Sequence, residues 1–298
     1  MSIASSPEAI ARVGEVELCY QTIGEPGDPP MLMVMGLAAQ MYWWPDGLCD
    51  LLARRGFRLI RFDNRDCGAS SVLDALGTPS LEAALAGAGA APYTLSELAD
   101  DAAGLLDFLA IDAAHVVGAS MGAMIAQALA IEHPDRVLSL ASIMGTTGER
   151  SVGRPTAEAQ EVLMTPPPLD DRVAYIESVA AARGVIGSPG IDRDEAWTRE
   201  IAGRSFDRGV RPEGTLRQLV AIVASGDRTA ALGRLRVPTV VVHGTDDALI
   251  DVSGGRATAA AIPGAELVLV DGMGHDLPPA AWAPIADAIA ANAARAGP

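Results

Sequence analysis

The sequence predicts an α/β protein, a doubly wound and mostly parallel sheet with one helical insertion. Three observations predict it. Short apolar runs alternate with longer Ala/Leu-rich segments along most of the chain. The runs lack the polar alternation of half-exposed strands, as expected where both faces of a sheet are covered. One long stretch, residues 148–233, breaks this rhythm and holds no convincing strand.

The elements follow in order. Residues 13–23 alternate, with Val16, Leu18 and Tyr20 set against Glu15, Glu17 and Cys19, which fits an antiparallel edge strand with one wetter face. Residues 31–35 and 58–62 read as buried strands, with a helix over 44–55 between them. Thr94, with Glu97 three residues later, makes a capping box for a helix carrying Leu98, Leu105, Leu106 and Leu109 at helical spacing. A strand at 115–117 leads into a helix from Met121 to His133, where Pro134 stops it. Strands at 137–140, 239–242 and 267–270 and a final helix at 281–294 complete the alternation. Inside 148–233, the pieces at 173–182, 194–202 and 212–224 carry spaced apolar residues, Trp197 and Ile201 among them. They read as packed helices rather than a linker. The expected division is a core of 1–147 and 234–298 and a cap or lid of 148–233.

The chain has 298 residues, 49% hydrophobic and 20% charged, enough for a sizeable core. Its formal net charge is −16, and every basic residue is an arginine. Such an excess repels phosphate backbones and anionic lipid surfaces, which argues against nucleic-acid and membrane partners. Residues 1–8 have neither the basic nor the apolar region of a signal peptide, and no apolar run reaches the length of a membrane span. Cys19, Cys49 and Cys67 form no C-x-x-C pair, which speaks against a disulfide framework or a zinc site. The expectation is a cytoplasmic protein.

Gly118-Ala119-Ser120-Met121-Gly122 places a serine between two glycines, after an expected strand and before an expected helix. This is the setting in which G-x-S-x-G marks a nucleophile on a sharp turn. A serine hydroxyl needs a base, and there are four histidines. His115 and His133 read as structural, and His243 is a minor candidate. His275 lies in a glycine-rich loop after the last strand, where an open α/β sheet presents its site. For the acid that orients the base, Asp246, Asp247 and Asp251 compete on spacing alone. The chain order Ser, Asp, His is the one associated with this turn.

These motifs, with the segment Arg61-Phe-Asp-Asn-Arg-Asp-Cys-Gly-Ala-Ser70, resemble the α/β-hydrolase superfamily over nearly the whole chain. Val34-Met35-Gly36, Asn64-Arg65-Asp66 and Gly272-Met-Gly-His275 are similar to aclacinomycin methylesterase and related actinobacterial carboxylesterases. The resemblance implies a sheet of about eight strands and no metal or cofactor. It implies Asp247 as the acid, with Asp246 as the alternative, and the Leu37 and Met121 N–H groups as the oxyanion hole. Met35 stands where most relatives carry His, and Asp66 and Ala69 interrupt the usual D-x-R-G-x-G-x-S pattern.

The expected chemistry is cleavage of a small, uncharged, hydrophobic ester through an acyl-enzyme, with Trp43, Trp44, Met124 and Met144 as candidate pocket walls. Ser120 at the nucleophile position excludes a haloalkane dehalogenase, which needs Asp there. A cofactor-free perhydrolase, a lactonase or a C–C hydrolase would share the triad. A ligand-binding receptor on the same scaffold is the rival from another class, and family habit implies a monomer or homodimer.

Overall fold

In the computed structural model, which describes residues 3–88 and 90–297, eight strands form one sheet in the order β1-β2-β4-β3-β5-β6-β7-β8. The expected absence of a leader concerns residues that include Met1 and Ser2, which lie outside the described residues. β1 (Ala9–Val13) and β2 (Val16–Ile23) pair antiparallel, as do β2 and β4 (Arg58–Phe62). The remaining neighbours are parallel: β3 (Pro30–Val34), β5 (Ala114–Ala119), β6 (Val137–Ile143), β7 (Thr239–Gly244) and β8 (Glu266–Val270).

One strand differs from the sequence expectation. The alternating stretch from Val13 to Ile23 is not a single edge strand; it is the end of one strand, a turn and a second strand. Gly14, at φ 54°, opens the two-residue turn and supplies the positive φ that such turns require. The true edge, β1, is built from Ala-Ile-Ala-Arg-Val with Ile10 exposed and Ala11 buried. Its two alanines contribute too little apolar signal to announce a strand.

The helices cover both faces. α1 (Asp46–Ala53) and the last helix, α11 (Pro279–Ala294), pack on one, around Met31, Met33, Trp44 and Leu52. After the short α2 (Leu81–Leu85), α3 (Leu95–Phe108) and α4 (Met121–Glu132) pack on the other, around Leu32, Val34, Ile125 and Leu129. The capping box at Thr94 and Glu97 is present. Between β6 and β7 run five helices and, among the described residues, no strand: α5 (Ala157–Met164), α6 (Arg172–Ile186), α7 (Glu195–Arg208), α8 (Pro212–Ser225) and α9 (Thr229–Leu232). α10 (Ser253–Ala261) then links β7 to β8. α5 was not expected, since the proline run at 166–168 that follows it reads as loop.

Two arginines tie these inserted helices to the loop after β4. Arg208 of α7 reaches Asp63 at 2.8 Å. Arg217 of α8 grips Asp66 with two nitrogens, at 2.7 and 2.8 Å, with the pair 1% and 0% exposed. Asp66 also accepts from Tyr93 Oη and the Leu73 N–H. Burial alone would raise the Asp66 pKa, but these donors lower it below the usual carboxylate range. The residue that interrupts the family pattern is therefore a buried anchor for α8. Arg217→Met should cost about 3–5 kcal/mol by stranding that carboxylate, seen as a fall in Tm of roughly 5–15 °C. An unchanged Tm would refute the anchor.

Candidate active site

The sheet reverses its order at β3. The chain crosses from β3 to β4 on one side, then returns to place β5 on the other. Open α/β sheets bind ligands at the strand ends beside such a switch. Ser120 follows β5 and Leu37 follows β3, so both stand at that crevice.

Ser120 has φ 58° and ψ −123°, a conformation costly for a residue with a side chain. The surroundings enforce it. A Cβ at Gly118 would run into the Gly122 carbonyl, and one at Gly122 into the Val34 carbonyl. Only glycines let strand and helix close on the turn, and the closure lifts the serine to its apex. α4 begins at the next residue, so its N-terminal dipole points at the serine.

Ser120 Oγ lies 2.9 Å from His275 Nε2, and His275 Nδ1 lies 2.8 Å from Asp247 Oδ2. Asp247 Oδ1 accepts from the Leu249 and Ile250 N–H groups, both at 2.9 Å. Burial pushes the Asp247 pKa up. His275, together with hydrogen bonds from His243, His275 and the Ile250 N–H, outweighs burial and holds it well below the ordinary value. The carboxylate is thus kept ionised against the imidazole.

The rival assignments separate by burial and reach. Asp246 and Asp251 are exposed, whereas Asp247 is buried. His243 is buried on the far side of Asp247, bonded to the Ile250 carbonyl at 2.8 Å and 3.4 Å from Asp247 Oδ2. His115 bonds Ser139 Oγ and His133 bonds Asp100, at 2.8 and 2.7 Å.

Among the described residues, the Leu37 and Met121 N–H groups have no acceptor, and the two residues flank Ser120 from β3 and α4. The loop carrying Leu37 is braced at two points. Asn64 Nδ2 donates to the Met35 carbonyl at 2.9 Å, which holds the turn. Ala38, at φ 55°, donates its N–H to Gln218 Oε1 at 2.9 Å. Gln218, fully buried on α8, donates in turn to the Arg65 carbonyl at 2.8 Å. Gln218 escaped the sequence reading, because an amide beside Arg217 on a mixed helix carries no signal of its own.

A cavity of about 720 Å³ opens above Ser120 and His275. Trp43, Met144, Met35 and Leu37 line it, with Val162, Val179 and Trp197 from the inserted helices. Two expected wall residues are not there. Trp44 is fully buried under α1, on the side facing α11. Met124 packs in the core between sheet and α3, because α4 is buried on nearly every side. Adjacency in sequence to Trp43 and Ser120 did not carry over to adjacency at the cavity.

Residues 29–278 match the family model described as alpha/beta hydrolase fold. The chain is 31% identical over 299 residues to rhodomycin D methylesterase of Streptomyces peucetius, covering 93% of this chain and 95% of that one. It is 32% identical over 204 residues to pimeloyl-[acyl-carrier protein] methyl ester esterase of Chromobacterium violaceum, covering 67% and 75%. Among solved structures, the meta-cleavage product hydrolase of Pseudomonas fluorescens IP01 superposes with TM-score 0.75 at 18% identity, over 99% of both chains. The enol-lactonase of Burkholderia xenovorans LB400 gives 0.70 at 24% identity, over 97% and 99%. At these identities the two structures speak to the fold.

Proposed function

The chain belongs to the α/β-hydrolase fold family, and from that premise we propose that it is a serine esterase acting on small carboxylic esters by way of an acyl-enzyme. The observation that carries the reading is the unbroken series from Ser120 Oγ through His275 to a buried, ionised Asp247. The two methylesterase relatives support ester cleavage.

Ser120 Oγ attacks the ester carbonyl carbon while His275 Nε2 takes its proton. Asp247 keeps His275 Nδ1 protonated, which leaves Nε2 free to accept, and then steadies the imidazolium. The Leu37 and Met121 N–H groups bind the tetrahedral oxyanion, each worth about 3–4 kcal/mol in the barrier. His275 returns the proton to the leaving alkoxide. Water then cleaves the acyl-enzyme by the same steps.

Residues 148–233 act as a cap over the core in this reading. Supporting it, α5, α6 and α7 each give side chains to the cavity wall that faces Ser120. The apolar lining suits a hydrophobic acyl or alcohol group.

A series of p-nitrophenyl esters of increasing acyl length tests the proposal. Turnover should rise from acetate through medium chains and fall once the chain outgrows the cavity. A reporter fluorophosphonate should label Ser120, located by peptide mass spectrometry. Absence of turnover across the series, with no labelling, would overturn the esterase reading.

A further inference from the structure

Arg183 stands in the wall of the same cavity. Its guanidinium lies 4.4 Å from the centre of the Trp43 ring, and Nη1 donates to the His275 carbonyl at 3.1 Å. Among the described residues, no carboxylate comes within ion-pair distance of it. The acids nearby bond elsewhere, although Asp276 still acts on the guanidinium across a gap wider than an ion pair. Asp276 Oδ1 accepts from the Ser188 N–H and hydroxyl, Asp194 caps α7 on the Trp197 N–H at 2.8 Å, and Glu195 pairs with Arg199 at 3.1 Å. Arg193, the other cavity cation, spends Nη1 on the carbonyls of Arg183 and Gly184.

Protein crowds this guanidinium, and the desolvation lowers its pKa, yet part of its surface stays open towards the cavity. Of the other buried arginines, Arg217 meets a buried carboxylate, whereas Arg228 bonds the Gln127 amide and the carbonyls of Thr146 and Gly226. An enclosed cation with no carboxylate in contact is only partly compensated, and an anion in contact would complete the compensation. Stacking on Trp43 fixes the plane of the fork, which prepares it for two-point contact with a planar anion.

We propose that Arg183 is an anion subsite of this cavity, and that the preferred ester carries a carboxylate, apart from the scissile group, that pairs with it. The inference rests on the esterase reading and narrows its substrate class. It also revises the expectation of an uncharged ester; the net charge of −16 would by itself disfavour a carboxylate. That long-range field is screened over about 8 Å at physiological ionic strength. A guanidinium in contact inside an enclosed cavity outweighs it. A carboxylate that reaches Arg183 is selected, and one that falls short is disfavoured.

The test pairs mono-p-nitrophenyl esters of adipate and suberate with their terminal carboxamide counterparts, which match in shape and lack the charge. At the length that reaches Arg183, the wild type should favour the carboxylate in kcat/KM. Arg183→Gln should lower that preference, the ratio of kcat/KM on the carboxylate to that on the carboxamide, about 10- to 100-fold, whatever common factor the lost bond to the His275 carbonyl puts on both substrates. Arg183→Lys should fall between. Equal losses on both substrates would show that Arg183 only props the His275 loop and would overturn the proposal, as would a preference unmoved by substitution at every length. Hydrolysis of the carboxamide esters reports on the esterase reading separately. If no ester turns over, calorimetric binding of adipate against its carboxamide to Ser120→Ala and to Ser120→Ala/Arg183→Gln decides the subsite alone, with equal binding overturning it.

Discussion

Ser120→Ala will lower kcat by about 10⁵- to 10⁶-fold on any ester the wild type hydrolyses. The residual rate should still exceed the reaction in water by about 10³–10⁴, supplied by oxyanion binding and orientation. The fold should not change. The serine side chain bonds His275 and caps nothing, and alanine meets the same positive-φ strain that the flanking glycines impose. Tm should therefore stay within a few degrees while activity vanishes. Loss of activity together with a large drop in Tm would make Ser120 a structural residue; retained activity would place the nucleophile elsewhere. Burst kinetics with a p-nitrophenyl ester, present in the wild type and absent in the variant, is the direct check.

Asp247→Asn should cost about 10⁴ in kcat with little change in KM. The amide oxygen can still accept from Leu249 and Ile250, so the loop keeps its shape. The amide nitrogen then faces His275 and donates where the carboxylate accepted. His275 is driven to the tautomer with the proton on Nε2, where it cannot take the serine proton. The same substitution alters acid stability. The folded pKa of Asp247 is depressed, so its ionisation stabilises the fold at pH above the ordinary carboxylate value. That contribution is lost as pH falls through the lower, folded value. Wild type should lose stability towards acid more steeply than the variant, as read from Tm against pH. A loss of kcat under about tenfold would show that Asp247 does not orient the base.

The parts legible in sequence are those whose physics is local. Arg58–Phe62 and the capped α3 were readable from run length, spacing and a four-residue cap signature. So was the turn at Ser120, where steric need for two glycines writes itself into five residues. The choice among Asp246, Asp247 and Asp251 was not local, because burial depends on where α10 and the His275 loop pack. The sequence pattern could not show that Trp43 faces the cavity and Trp44 the core, since adjacent side chains simply diverge after a short turn. Gln218 and Arg183 were invisible for a related reason. Each acts on a partner far away in the chain, Ala38 in one case and the His275 loop in the other.

Gln218 bears on how this architecture can be inherited. By position it belongs to the inserted segment, yet its side chain sets the turn beside Leu37. The insertion is thus not an interchangeable module that merely sizes the pocket. A segment grafted from a relative would need its own acceptor for the Ala38 N–H, or the donor geometry beside Ser120 would relax along with the new specificity. New substrate ranges should be easier to reach through α5, α6 and α7, which supply most of this segment's cavity wall, than through replacement of α8, whose Gln218 also holds the turn beside Leu37.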